Sequence, residues 1–454
     1  MNVMRRDRCI ILVLIFTILS LHALPSNSKT LNIAVVGAGV SGLCSAKNAL
    51  EQGHNVVVYE KSEALGGTWY YTNKTGKDEY GINIYTAMYQ VLRTNTPRQI
   101  MELPGLQFPK NTPSYPPHED IWNYLNSYAD RFGLKKHIKF HHLVEKIHSI
   151  ENDQWKIIVK DLPNNKTRTM IYDAVFISID KLSTLNYPQY EGANEFNGKI
   201  MHSHEYRRAE DFHGADVLVI GSGSSGSDII FQLSKTANRV TWSKRTYTDE
   251  TEEERKVYGE TVTFKNNVKL LTSSGAEFLD GTHQNFTVII YATGYKNSFS
   301  ILDADTGLRV DDNYVQPLYK QIINIEHPTM ALISIDTFAA NFRVKDLQVR
   351  FALEFFSGAK KLPPKSEMLK DMQDFAESQQ KKGHYKSRIH IVGIDDSKEY
   401  YGQVSQAADL AKILDVYPNI ASDSMKTSMN NPFGFREFKY TIIDDETFEK
   451  KREV

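Results

Sequence analysis

The stretch from Leu31 to Glu60 limits the fold more than any other. It reads Leu-Asn-Ile-Ala-Val-Val, then Gly37-Ala38-Gly39-Val40-Ser41-Gly42, then an apolar-spaced run to Gly53, then Asn-Val-Val-Val-Tyr-Glu60. The pattern predicts a buried strand, a glycine turn, a helix and a second buried strand with an acid at its end. Each glycine has a separate task. Gly37 makes the tight turn, Gly39 lets a pyrophosphate approach the backbone, and Gly42 lets the helix pack on the strand. The helix N-terminus faces the phosphates, and Glu60 is placed to accept from ribose hydroxyls. Strand, helix and acid at these offsets make this a dinucleotide-binding unit.

The arrangement recurs. Asp216-Val-Leu-Val-Ile220 runs into Gly221-Ser222-Gly223-Ser224-Ser225-Gly226-Ser-Asp228, with a helix expected over 229–235 and a strand over 239–242. The residues after that strand are Ser243-Lys244-Arg245, where the first unit has Glu60. An acid reads ribose hydroxyls, whereas basic residues accommodate a 2′-phosphate. The first unit therefore suits FAD or NAD and the second NADPH. The fold expected is α/β with two Rossmann-like dinucleotide domains, the NADPH domain inserted into the FAD domain.

At 454 residues the chain can hold two or three domains of about 150 residues each. Lys and Arg number 54 and Asp and Glu 55, a net charge of −1. No global field directs it to nucleic acid or an anionic membrane. Arg5, Arg6 and Arg8 precede an apolar run from Cys9 to Leu21, followed by His22-Ala-Leu-Pro-Ser26. That run suits the apolar part of a signal peptide and is short for a span of about 20 residues. Residues 1–23 are read as the signal, with the cut falling within 20–28, which predicts a secreted chain with no membrane anchor. The sequons at Asn73, Asn165 and Asn285 agree with a glycoprotein on a secretory route. Cys9 lies in the signal, and Cys44 in the first helix reads as a small core residue. One mature cysteine allows no internal disulfide, CxxC redox pair or thiolate metal cluster, so a flavin disulfide reductase is excluded.

The expected domains are 31–183 and 299–454 for FAD and 184–298 for NADPH. Between the first unit and the second lie Gly66-Gly67-Thr68-Trp69, a loop-rich stretch over 70–117, a helix over 119–132 and strands at 138–140, 154–160 and 170–179. His141 and His142 read as surface or turn residues, since no spaced metal partner follows. The apolar strand at 288–292, ending in Thr293-Gly294-Tyr295, is expected to return the chain to the first domain and close over the first dinucleotide. Helices are expected at 346–357 and 399–414, a charged solvated segment at 364–390, and a polar C-terminus. The sequence leaves a homo-oligomer open and offers no metal site.

Between the units lies Phe196-Asn-Gly198-Lys-Ile-Met-His202-Ser-His204-Glu-Tyr206. It resembles the FxGxxxHxxx(Y/F) fingerprint of the class B flavin-dependent monooxygenases. Gly66–Trp69, Asn95 in Leu-Arg-Thr-Asn, Tyr115-Pro-Pro-His118 and Ala292-Thr293-Gly294-Tyr295 match that family too, over residues 31–415. The signal and the short C-terminus resemble its secreted insect members, the pyrrolizidine-alkaloid (senecionine) N-oxygenases of arctiid moths. One departure stands at Ser178-Ile179-Asp180, where many relatives carry a glycine turn.

The resemblance implies FAD on Gly37–Gly42 and Glu60, with Gly67, Thr68 and Trp69 along the flavin. It implies NADPH on Gly221–Gly226 with Lys244 or Arg245 at its 2′-phosphate, and Thr293 and Gly294 beside the cofactors. Asn95 matches the active-site Asn near the flavin and is the one catalytic candidate. The fingerprint residues, His202 and His204 included, are implied to be mainly structural links between domains. The implied reaction is NADPH-driven reduction of FAD, uptake of O₂ as a C4a-hydroperoxyflavin, and oxygen transfer to a tertiary-amine alkaloid such as senecionine, giving its N-oxide. The implied setting is detoxification in a haemolymph-like fluid. Oxygenation of other soft nitrogen or sulfur nucleophiles, Baeyer–Villiger oxygenation of ketones and a non-catalytic flavoprotein are the alternatives.

Overall fold

The computed structural model describes residues 29–179, 184–245, 251–335 and 342–452. The expected signal peptide, and Asp180 of the departing turn, lie outside these residues. The chain begins with β1 (Asn32–Val36), α1 (Val40–Glu51), β2 (Asn55–Tyr59), α2 (His118–Arg131), β3 (Ile138–Lys139), β4 (His142–Ile150), β5 (Gln154–Asp161), β6 (Lys166–Tyr172) and β7 (Ala174–Ile177). There follow β8 (Lys199–His202), β9 (Asp216–Ile220), α3 (Ser224–Leu233), β10 (Arg239–Ser243), α4 (Glu252–Tyr258), β11 (Val262–Lys265), β12 (Val268–Leu271), β13 (Gly275–Phe278), β14 (His283–Asn285) and β15 (Val288–Tyr291). The last part holds β16 (Arg309–Asp311), β17 (Tyr314–Gln316), β18 (Leu318–Tyr319), β19 (Ile323–Asn324), β20 (Met330–Leu332), α5 (Phe342–Phe356), α6 (Lys365–Lys381), α7 (Ile394–Ala407), α8 (Val416–Asn430) and the hairpin β21 (Phe438–Ile442) and β22 (Phe448–Arg452).

Two sheets carry the architecture. The first has the order β18-β19-β20-β7-β1-β2-β3 and the second β11-β10-β9-β15-β8. Both are parallel at their centres, where β1 pairs with β2 and β7, and β9 with β10 and β15. Their unbroken apolar strands follow from having two buried faces. In β1, Ile33 and Val35 enter a core built with α1 and α5, while Ala34 and Val36 enter another built with β4, β5 and β6. In β9, Val217 and Val219 meet the α3 side, while Leu218 and Ile220 meet the antiparallel sheet β12-β13-β14. Successive side chains point to opposite faces, so one apolar run serves two cores.

The structure corrects several expectations. The strand at 170–179 is two strands in different sheets. Asp173 divides them, its carboxylate accepting from the Asn32 N–H and from Gln154. The helix expected over 229–235 is α3, which begins beside the glycine turn at Ser224 and ends at Leu233. The helix expected to 414 ends at Ala407, and α8 follows unforeseen. The strand at 288–291 does not return to the first sheet. β15 lies between β9 and β8 in the second, and it is β18, β19 and β20 that come back to the first. Four apolar residues in a row tell of two covered faces but not of which sheet supplies the neighbours. Cys44 is buried as expected, and His141 sits in a turn with a left-handed φ of 54°.

Candidate functional site

The first glycine turn is shaped by contacts inside the protein at two of its three glycines. Gly37 has φ +100°, and a Cβ there would lie 2.8 Å from the Ser178 carbonyl. A Cβ on Gly42 would lie 1.8 Å from the Gly37 carbonyl. Gly39 is different. Its φ is −74°, and a Cβ would meet only Gly67, at an ordinary 3.7 Å. Neither backbone conformation nor a close contact demands glycine there, and a glycine at this turn would let a pyrophosphate approach the backbone. Ala38, Val40 and Ser41 are buried at the start of α1. The Glu60 carboxylate is buried and holds the turn. It accepts the Ala38 N–H at 2.8 Å on one oxygen, and the Ser62 N–H at 2.9 Å and hydroxyl at 2.8 Å on the other. A carboxylate offers about four acceptor sites, so capacity for a ribose hydroxyl remains. Glu60 also lines a cavity of about 80 Å³ with Ser62, Gly67, Tyr70 and Thr86. Gly67 packs on Gly39, the Gly66 N–H donates to the Ala38 carbonyl at 2.9 Å, and Trp69 stands edge-on to Phe342. The Thr68 carbonyl accepts from the Thr86 hydroxyl.

The second turn repeats this logic. A Cβ on Gly221 (φ +118°) would lie 2.3 Å from the Ala292 carbonyl, and one on Gly226 2.4 Å from the Gly221 carbonyl. A Cβ on Gly223 would meet nothing within 4 Å. Ser222, Gly223 and Ser224 are exposed at the N-terminus of α3, and Ser225 is half-buried. Both turns fit a dinucleotide, because no close contact at the middle glycine of either requires a glycine. At the end of β10 the two basic residues part ways. Lys244 pairs with Glu254 at 3.0 Å and lies over the Trp242 ring at 4.0 Å, whereas Arg245 is exposed. Burial pushes the Glu254 carboxyl up, but the Thr251 N–H and Lys244 overcome it and hold it below its ordinary range.

The fingerprint segment ties the parts together. His202 is fully buried, donates from Nε2 to the Gly294 carbonyl at 3.0 Å and accepts the His204 N–H on Nδ1. Burial, with His204 beside it, pushes its pKa down to about 4. An imidazole held neutral, with both nitrogens engaged, does not titrate near neutral pH. His204 bonds the Ile84 carbonyl, and Tyr206 bonds Gln232 of α3. Arg207, 4% exposed, donates to the carbonyls of Lys74, Thr86, His204 and Tyr206. These bonds lash the loop-rich 70–117 stretch to the second sheet. The Thr293 hydroxyl donates to the Asn186 carbonyl, and the Gly294 carbonyl also accepts the Asn186 N–H.

Asn95 is exposed on the loop after Leu92. Its Oδ1 accepts from Arg436, whose guanidinium also reaches Asp228 of α3. Tyr89 donates to Asp228 at 2.6 Å. This junction joins Asn95 to the second turn's helix, and no motif in the chain points to Arg436 or Tyr89. Ser62, beside Glu60, and Ser178, in the turn that departs from the family pattern, carry no role predicted from the sequence, and the structure sets both against the first glycine turn. Among the described residues, His148, Asp303 and Asp305 bring metal-ligating atoms within 4.8 Å of one another. The histidine there bonds Asp305 at 3.0 Å, an ordinary surface pair.

Two sheets, parallel at their centres, each with a glycine turn opening onto a helix and with opposite charge at the ends of their second strands, define a protein of two dinucleotide-binding units. The comparisons agree. A family model described as flavin-binding monooxygenase-like matches residues 30–249 and 247–429. The chain is 31% identical over 446 residues to senecionine N-oxygenase of Tyria jacobaeae, covering 98% of this chain and 97% of that one. It is 31% identical to trimethylamine monooxygenase of Pelagibacter ubique, over 84% of this chain and 86% of that one. The structure of S-allyl-L-cysteine S-oxygenase from Allium sativum superposes with a TM-score of 0.84 at 26% identity, over 90% of this chain and 95% of that one. The chain belongs to the flavin-binding monooxygenase-like family. It is an NAD(P)H-dependent flavin monooxygenase with FAD and NADP as its cofactors. Among the described residues no helix is long and apolar enough to cross a membrane.

Proposed function

We propose that the chain is a secreted N-oxygenase of tertiary-amine alkaloids, with pyrrolizidine alkaloids such as senecionine as substrates and their detoxification as its role. Residues 31–183 and 299–454 form the FAD domain and 184–298 the NADPH domain, in keeping with the strands that each range gives to its sheet. FAD lies on Gly37–Gly42 and Glu60, with Gly67–Trp69 beside it. NADPH lies on Gly221–Gly226, with Thr293 and Gly294 nearby. Arg245 is the better partner for its 2′-phosphate, because Lys244 already has Glu254. When bound, the reduced flavin activates O₂ for transfer to a nucleophilic nitrogen. The protein's part is to hold two dinucleotides in register and to offer the Asn95 carboxamide at their junction.

The observation that carries this reading is the pair of middle glycines with no internal reason to be glycine. Nitrogen as the oxygen acceptor is supported by two relatives, one named for an alkaloid and one for trimethylamine. Purified protein should consume NADPH and O₂ faster when senecionine is added, and the N-oxide should accumulate. Oxygenation of sulfides alone would overturn the substrate and favour the chemistry that names the Allium structure. Secretion is tested by N-terminal sequencing of protein from culture medium, which should start within 20–28. Asn73, Asn165 and Asn285 are exposed and open to glycosylation.

A further inference from the structure

The segment Asn431-Pro-Phe-Gly-Phe-Arg-Glu437 runs between the two halves and is anchored in both. Phe433 stands edge-on to Tyr258 at 5.4 Å, against the core of the second sheet. Phe435 stands edge-on to Tyr115 at 5.3 Å, in the core of the first, and is 6% exposed. Arg436 follows these anchors and faces three groups. Its Nε donates to the Thr94 carbonyl at 3.1 Å, and its Nη2 donates to Asn95 Oδ1 and to the Asp228 carboxylate at 3.2 Å. The second donor to that carboxylate is the Tyr89 hydroxyl, whose pKa is raised by burial and by the Asp228 charge. The segment lies beyond residue 429, where the family match ends.

The chemistry fixes more than a contact. A guanidinium has donors and no acceptor, so Asn95 must turn its oxygen toward Arg436. Its NH₂ group then points away, on an exposed side chain. Asn95 is thereby committed to act as a hydrogen-bond donor. Asp228 stands in the first two turns of α3, just past Gly226, so the same guanidinium sets where the second turn's helix sits relative to Asn95. A planar fork can satisfy a carbonyl, a carboxamide and a carboxylate together, which a lysine's single nitrogen cannot do in the same geometry.

We propose that Arg436 is a positioning residue: through a C-terminal strap over 431–437 it presents Asn95 as a donor and clamps the NADP-side helix against it. This rests on the placement of Asn95 and the second glycine turn in the site proposed above. The test uses the FAD-loaded full chain and the variants Arg436→Met and Arg436→Lys. Arg436→Met should keep its flavin, weaken NADP⁺ binding about tenfold in a flavin-absorbance titration, and divert electrons from product to hydrogen peroxide. Adding Asn95→Ala to Arg436→Met should cost less than Asn95→Ala costs the wild-type chain, because both act through one junction; fully additive losses would overturn the proposal. Amide hydrogen exchange should quicken over 92–96 and 222–228. Arg436→Lys, which keeps the charge, should lose part of the same affinity and coupling, and it serves if Arg436→Met does not fold. Wild-type NADP⁺ affinity, coupling and exchange in either variant would overturn the proposal. If the wild-type chain bound no NADP⁺, the functional reading would fall. The exchange comparison would still decide the clamp: faster exchange supports it and unchanged exchange refutes it.

Discussion

Ala38 donates its backbone N–H to the Glu60 carboxylate at 2.8 Å, so the acid at the end of β2 holds the glycine turn at the end of β1. The residue expected to read a ribose is also the residue that shapes the glycine turn. Glu60→Gln keeps the shape but sets an NH₂ against a donor. It should cost about 1–3 kcal/mol of stability and lower the flavin carried per chain. Thermal melting and flavin absorbance check both; unchanged flavin content would leave Glu60 a structural role only.

The glycines of each turn should separate by position. Gly39→Ala and Gly223→Ala meet no close contact and should change stability by less than about 1 kcal/mol, while FAD and NADP⁺ affinity fall respectively. Gly42→Ala and Gly226→Ala drive a methyl into the Gly37 and Gly221 carbonyls and should cost about 3 kcal/mol or more. Denaturant melts and ligand titrations of the four variants give the comparison. Equal loss of stability in all four would remove the case for phosphate approach at the middle positions.

Arg245→Ala should raise the KM for NADPH about tenfold or more and leave that for NADH nearly unchanged, as expected for loss of a charge-assisted phosphate contact. Lys244→Ala should act differently. It strands Glu254, which is part of the capping box of α4, and so shows mainly as lower stability. Steady-state kinetics with both nicotinamides decide the matter, and a larger NADPH effect from Lys244→Ala would reverse the assignment.

His202 should make the fold sensitive to acid. Its folded pKa is about 4 against an ordinary 6.5. The unfolded chain gains a proton as pH falls through 6.5, while the folded chain does not until about 4. The stability it contributes is therefore present above 6.5 and lost between 6.5 and 4, by at most about 3 kcal/mol. His204 is shifted the same way by burial and adds to the slope. Melting temperatures measured from neutral pH downward should fall over this window, and His202→Gln should flatten the fall. A parallel decline in that variant would place the acid sensitivity elsewhere.

Both dinucleotide units, the charge contrast between Glu60 and Lys244-Arg245, and the fingerprint from Phe196 to Tyr206 were legible in the chain itself. Each is a short pattern whose residues answer to near neighbours: a left-handed φ at Gly37, a helix packed on its own strand at Gly42, an apolar run with two covered faces in β1 and β9. Local sterics and side-chain alternation act within a few residues, so sequence alone determined them. The tertiary structure decided what distance along the chain conceals. It placed β15 between β9 and β8, split 170–179 at Asp173, and set Lys244 on Glu254 while leaving Arg245 exposed. It brought Arg436 to Asn95 across 341 positions and to Asp228 across 208. No periodicity encodes such a meeting. It exists because Phe433 and Phe435 bury in two different cores and leave the guanidinium beside Asn95 and α3, at the junction of the two halves.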